Sequence, residues 1–337
     1  MKAAILKSPG IDNLVVEDRP VPKPGPGEVL VRLRFATLNF RDLLVINGGY
    51  GSQQRQSDLV PLSDGAGEVE AVGAGVTGYK AGDRVVGHFF PAWQSGEPSE
   101  ARFSVNLGGR MDGVACEYRL FRPDAIAHVP EHLSLAEAAA LPCAGLTAWN
   151  AVIAQGETKP GDCVLVQGTG GVSLFGLQFA HAAGATVIAT SSSDAKLERC
   201  RALGADHLIN YVDVKDWGDR ARALSSEGQG VDHVVEVGGA GTMKQSLRAV
   251  RVGGRISMIG VLAGNRHELN VPIIVMRSIR LQGVTVGSYE HFTAMLRAIA
   301  QSRIKPVLDR TFPLAEIRAA FDHLQSGGHF GKIVIEI

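Results

Sequence analysis

The chain is poor in the features that mark several protein classes. It has four cysteines among 337 residues, Cys116, Cys143, Cys163 and Cys200, and their spacing makes no disulfide framework. They read as reduced thiols of a cytoplasmic protein. It has no excess of either charge: 34 Lys and Arg stand against 34 Asp and Glu. No basic field therefore argues for nucleic acid or a membrane surface as partner. No apolar run approaches the ~18 residues of a membrane span. The opening residues, Met1 to Leu6, are too short an apolar stretch for a signal peptide. Internal repeats and low-complexity tracts are missing too. What remains is a chain with 45% hydrophobic residues and length for about two domains. That fits a soluble globular enzyme.

What the chain has is one organising stretch, Cys163 to Ser193. The apolar run Val164-Leu165-Val166 meets Gly168-Thr169-Gly170-Gly171-Val172-Ser173. An apolar helical segment follows to Ala183, Gly184 ends it, and Val187-Ile188-Ala189 comes next. Strand, glycine turn, helix and strand in this order form the dinucleotide-binding fingerprint. The glycines let backbone N–H groups approach a pyrophosphate at the positive end of the helix. Ser173 stands where the third glycine of the pattern falls, and it is small enough for close helix–strand packing. The competing reading is a doubly wound domain that binds nothing.

The end of the second strand selects the cofactor. An NAD site places an acid about 20 residues past the first glycine, on the ribose 2′-hydroxyl. Here Ser191, Ser192 and Ser193 occupy that place, with Lys196 beyond. Hydroxyls and a cation suit a 2′-phosphate, so the expected cofactor is NADPH. The plainer reading of Lys196 is a solvated helix residue.

Residues 1 to about 125 read as a compact β domain, with strands at 29–35, 68–76 and 83–86. Ser134 and Glu137 form a capping-box pair that opens a helix over 136–149. From Val164 onward, strands near 164–167, 186–190, 207–210, 231–237, 255–260 and 279–285 alternate with helices near 172–183, 194–203, 214–226 and 241–250. This is α/β, a parallel sheet covered on both faces. Gly238 lies in the turn after the 231–237 strand, where such sheets bind ligands. Helices near 290–301 and 314–325 follow. The final run, 332–337, reads as an edge strand returning to the first domain.

Four stretches together resemble the medium-chain dehydrogenase/reductase superfamily. They are Gly65-Ala66-Gly67-Glu68-Val69-Glu70-Ala71-Val72-Gly73, Lys80-Ala81-Gly82-Asp83-Arg84-Val85, the glycine turn at 168–173, and His329-Phe330-Gly331-Lys332-Ile333-Val334. The resemblance implies a GroES-like catalytic domain from both termini, 1–128 and 290–337, around a Rossmann domain, 129–289.

The alcohol dehydrogenases of that superfamily hold a catalytic zinc through Cys, His and Cys. Their first two ligands fall on Asn39 and Ser63, and only Cys143 keeps a ligand type. An amide, a hydroxyl and one thiolate do not hold a catalytic zinc. The family's structural zinc uses four closely spaced cysteines, whereas 82–130 holds Cys116 alone. The expectation is therefore no metal, with Cys143 a buried apolar residue. Asn39 and its neighbours resemble the zinc-free branch, which includes quinone reductases and polyketide enoyl reductase domains. The resemblance assigns Tyr50 a place near the nicotinamide as a candidate proton donor. It also puts Ser192, Lys196 and Tyr211 on the 2′-phosphate, with the alternative that Tyr211 packs on the sheet edge. The segment 89–116, bearing Phe89, Phe90, Trp93 and Phe103, reads equally as lid, interface or packed loop.

Without a Lewis acid, hydride delivery to an activated acceptor is easier than alcohol oxidation. The expected activity is NADPH-dependent reduction of a quinone or α,β-unsaturated carbonyl, with Asn39 and Tyr50 serving the developing enolate oxygen. A zinc-independent alcohol or aldehyde dehydrogenase and a non-catalytic NADPH-binding protein are the alternatives. A homodimer is expected through the apolar run 279–286.

Overall fold

The computed structural model describes residues 1–55, 57–266 and 268–337. The chain divides into two compact units, Met1–Leu146 with Gly287–Ile337, and Thr147–Val286. Among the described residues no helix is long and apolar enough to cross a membrane.

The first unit begins with β1 (Lys2–Leu6) paired antiparallel to β2 (Leu14–Asp18). Next come β3 (Val29–Thr37), α1 (Phe40–Ile46), β4 (Asp64–Val72), β5 (Arg84–Gly87), α2 (Glu100–Phe103), β6 (Tyr118–Phe121), β7 (Ile126–His128) and α3 (Leu135–Ala139). The short α4 (Leu146–Trp149) leads into the second unit: β8 (Cys163–Gln167), α5 (Gly171–Ala182), β9 (Thr186–Ser191), α6 (Asp194–Ala202), β10 (His207–Asn210), α7 (Trp217–Leu224), β11 (Val231–Glu236), α8 (Met243–Ala249), β12 (Val250–Met258), α9 (Val271–Met276) and β13 (Arg280–Gly283). The chain then returns to the first unit with α10 (Tyr289–Ser302), β14 (Leu308–Pro313), α11 (Ile317–Gln325) and β15 (Lys332–Glu336).

The second unit is a six-stranded parallel sheet ordered β10-β9-β8-β11-β12-β13. All five residues of β8 are buried, as expected for a central strand covered on both faces. The order reverses between β8 and β11, so the two strands that begin each half lie side by side. Ligands bind outside the carboxyl ends of strands at such a switch point. The parallel α/β expectation holds.

The first unit holds a seven-stranded sheet, ordered β14-β15-β3-β4-β5-β7 with β6 also on β3. Here the final run departs from the edge position read from the sequence. β15 lies inside the sheet, parallel to β14 and antiparallel to β3. The edge is β14, whose alternation is too weak to announce a strand: among its six residues only Phe312 is buried.

The capping box at Ser134 and Glu137 is present, with Ser134 N–H donating to Glu137 Oε2 at 2.7 Å. The helix it opens does not run unbroken to Trp149. It stops at Ala139 and continues through two wide π-type turns, Leu141–Gly145 and Asn150–Ala154, with Pro142 in the first. Proline lacks the N–H that a regular ladder needs there. Its α3 start packs on β3, β4 and β5, which carries the first unit to Leu146 rather than 128. Within the segment 89–116, which includes α2, the aromatic residues pack together. Phe89 and Trp93 are 1% and 2% exposed, and Trp93 meets Phe103 edge-on with ring centroids 5.4 Å apart.

Candidate active site

In the second unit the glycine turn forms where β8 must hand over to α5. Gly168 has φ +70°, a conformation a side chain would strain. Gly170 caps α5, and a Cβ added there meets nothing within 4 Å. Gly168, Thr169, Gly170, Gly171 and Val172 thus surround open space beside a helix N-terminus, where backbone N–H groups can meet an anion. Ser173 explains how the pattern tolerates the loss of its third glycine. Its Oγ donates to the Gln167 carbonyl at 2.6 Å and ties α5 to β8.

At the end of β9, Ser191 is buried and Ser192 exposed. Ser191 Oγ accepts from Ser193 N at 3.3 Å, and Ser193 Oγ caps α6 by accepting from Lys196 N. Tyr211 N–H donates to the Ser191 carbonyl at 3.0 Å. The Tyr211 side chain is 41% exposed rather than packed into the sheet. Serines, lysine and tyrosine thus gather at the tips of β9 and β10 with no carboxylate at position 191 or 192.

Gly238 has a local reason to be glycine, since a Cβ would come within 2.3 Å of Thr242 Oγ1. The turn is held by Glu236, a buried carboxylate. Its Oε1 accepts from Gly238 N at 2.8 Å, Gly239 N at 2.9 Å and Thr242 Oγ1. Its Oε2 takes Gln167 Nε2 at 2.8 Å and the Ser246 hydroxyl.

In the first unit, Asn39 precedes α1 and is nine-tenths buried. Its N–H donates to Asp42 Oδ2 at 2.8 Å. Lys332, from β15, is 3% exposed; its Nζ donates to the Leu38 carbonyl at 2.6 Å and to Asn39 Oδ1. The same Nζ lies 3.5 Å from Asp64 Oδ2. Asp64 also accepts from Ser63 Oγ at 2.7 Å and from Cys143 N at 3.3 Å. Asn39, Ser63 and Cys143 are therefore joined, as the sequence reading implied, but through Asp64 and Lys332. Cys143 is half-buried rather than the buried residue expected, yet desolvation, followed by the Asp64 carboxylate, pushes its thiol up, so it is no ready thiolate. Burial likewise pushes the Asp42 carboxyl up to about 6, with Arg41 pulling against it. Among the described residues no group of three His, Cys, Asp or Glu is placed to hold a metal ion.

Tyr50 joins this cluster through Arg41, whose guanidinium stacks on the Tyr50 ring at 4.6 Å and the Phe89 ring at 5.1 Å. Arg41 also donates to the carbonyls of Leu107 and Gly108 at 2.9 and 3.2 Å. Sequence reasoning missed Arg41, Asp42, Asp64 and Lys332. The available signal was an unusual one: a lysine opening the apolar run Lys332-Ile333-Val334-Ile335, where a buried charge demands partners.

The Alcohol dehydrogenase GroES-like domain family matches residues 25–131, and the Zinc-binding dehydrogenase family matches residues 171–301. The chain is 43% identical to a zinc-type alcohol dehydrogenase-like protein of Schizosaccharomyces pombe over 335 residues, 97% of this chain and 96% of the other. Among solved structures, an NAD-dependent alcohol dehydrogenase is 35% identical with a TM-score of 0.91, covering 100% of both chains. The quinone oxidoreductase of Coxiella burnetii is 28% identical with a TM-score of 0.79, covering 100% of this chain and 99% of that one.

Proposed function

The chain belongs to the medium-chain dehydrogenase/reductase superfamily, and on that premise we propose that it is a metal-independent, NADPH-dependent reductase of quinones or α,β-unsaturated carbonyls. That it is an alcohol dehydrogenase-like, NAD(P)H-dependent oxidoreductase follows from its relatives.

The observation that carries the finer reading is the Lys332 ammonium seated on Asn39 Oδ1 and beside Asp64. A catalytic zinc draws on three anionic or imidazole ligands. The set here is an amide, a hydroxyl, a carboxylate already beside a cation, and a thiol that resists ionisation. A metal cation at this place would face a resident cation. The donor set does not suit zinc.

The reduced nicotinamide, when bound, supplies the hydride. The glycine turn at 168–172 holds the pyrophosphate, and Ser191, Ser192, Lys196 and Tyr211 favour a 2′-phosphate over the bare ribose of NADH. Asn39 donates a hydrogen bond to the acceptor's carbonyl oxygen as negative charge gathers there. In this reading Tyr50, steadied on Arg41, supplies the proton. An activated acceptor needs no more than this. An unactivated alcohol would need a stronger electrophile for its alkoxide.

The deciding experiment measures cofactor absorbance with NADPH and NADH against quinones, enones and, in the reverse direction, alcohols. Turnover of enones or quinones that chelator leaves unchanged is expected. About one zinc per chain by elemental analysis, bound through Cys143, would overturn the reading.

A further inference from the structure

Asn39 shows an asymmetry. Its Oδ1 accepts from Lys332 Nζ, whereas its Nδ2 has no acceptor among the described residues. The orientation is not free. Lysine offers three donors and no acceptor, so only the amide oxygen can face it. Turning the amide over would set an NH2 group against an ammonium and forfeit a charge-assisted bond. The backbone is held as well, through Asn39 N–H on Asp42 Oδ2. A buried donor without a partner carries an unrepaid desolvation cost until an acceptor oxygen reaches it. No described residue of this unit relieves that cost, and the lysine enforces it.

We propose that Lys332 is a positioning residue: its buried ammonium locks the Asn39 amide so that Nδ2 stands as an unpaired donor for the carbonyl oxygen of the acceptor. The inference rests on the reading of Asn39 as that donor and adds what makes it one. The ammonium acts twice. It fixes which end of the amide faces the acceptor, and its pull on Oδ1 polarises the amide, which strengthens the N–H as a donor. A cation built into β15 thereby does at one remove what a metal ligated by residue 39 would do directly. Arg41 and Lys332 balance Asp42 and Asp64, so the charge is carried in the interior as two pairs.

The rival account is that Lys332 only neutralises Asp64, and the two accounts predict different kinetics. The test compares Lys332→Met, Lys332→Met/Asp64→Asn, Asn39→Ala and Lys332→Met/Asn39→Ala, with NADPH and 9,10-phenanthrenequinone as the probe acceptor. If Lys332 orients Asn39, Lys332→Met lowers kcat by about ten- to a hundredfold with KM little changed, since an oxyanion donor is worth about that much or more. Adding Asp64→Asn then restores folding but not kcat, and Lys332→Met lowers kcat no further in the Asn39→Ala background. Recovery of kcat on adding Asp64→Asn, or multiplicative losses with Asn39→Ala, would overturn the inference and leave the Asn39 reading standing. Full kcat in Asn39→Ala would instead sink that reading. A second measurement does not depend on turnover. With 15N-asparagine labelling, the Asn39 side-chain amide, identified by its loss in Asn39→Ala, should give one NH2 pair in the wild type. It should shift or double in Lys332→Met/Asp64→Asn, and an unmoved pair there would show that no lock exists.

Discussion

The guanidinium of Arg41 lies 4.6 Å from the centre of the Tyr50 ring, one residue along the chain from the carboxyl of Asp42. Tyr50 is thus carried by a loop but steadied by a buried cation. Tyr50→Phe keeps the stack and loses the hydroxyl. A fall in kcat of about a hundredfold or more is expected, in the range of a lost general acid, with stability unchanged. Arg41→Met leaves the buried Asp42 without its partner and should cost about 3–5 kcal/mol in urea unfolding.

Cofactor choice follows from the serines at the end of β9. NADPH should bind about ten- to a thousandfold tighter than NADH, the range of one or two charge-assisted contacts. Lys196→Ala should weaken NADPH and barely touch NADH. Ser191→Asp keeps an acceptor for Ser193 N–H yet repels a phosphate, and should reverse the preference. Calorimetry giving equal dissociation constants for both cofactors, unchanged in Lys196→Ala, would reduce the serine run to a turn.

Gly170 separates binding from folding. Its backbone is extended, φ −78° and ψ 175°, and a Cβ there meets no atom. Gly170→Val should therefore leave Tm within a few degrees while filling the phosphate cradle. Loss of NADPH binding by fluorescence titration is expected, and undiminished affinity would move the pyrophosphate elsewhere.

Stability should fall in mild acid. Burial pushes His88 and His233 down to about 4, against about 6.5 in an unfolded chain. Their contribution is full above about pH 6.5 and is lost as pH falls through that window, because the unfolded chain takes up the protons first. Asp42 works the other way: held up to about 6, it gives its contribution below about pH 4 and loses it as pH rises through about 6. Two histidines outweigh one aspartate, so urea unfolding should show a loss on the order of 2–3 kcal/mol from about pH 7 to about pH 5. His233→Asn should flatten that slope, and a stability that rose in acid would refute the assignment.

A homodimer is expected from the second unit's sheet edge. β13 is the last strand in the order, and nearby on α9 Val275 and Met276 are 69% and 83% exposed. An open strand edge beside such exposed apolar residues tends to pair with a second copy. Light scattering at micromolar concentration should give about twice the chain mass, and Met276→Asp should shift it toward monomer. A wild-type monomer would count against the pairing.

The sequence by itself determined the parts whose causes are local. The turn at Gly168 to Ser173, the Ser134–Glu137 capping box and the alternation of apolar strands with helices each depend on residues a few positions apart, and each is present. Only the tertiary structure decided the buried cluster, because its members are far apart in the chain. Lys332 meets Leu38, Asn39 and Asp64 across 294, 293 and 268 residues. In sequence, a lysine opening a terminal strand reads as the solvated end of an edge. Its meaning changes once β14 pairs outside β15 and takes the edge, leaving the side chain in the interior. The same holds for the aromatic lobe at 89–103 and for the interrupted helix after Ala139. Desolvation and packing are set by whatever neighbours arrive from other elements, and no short window of sequence contains them.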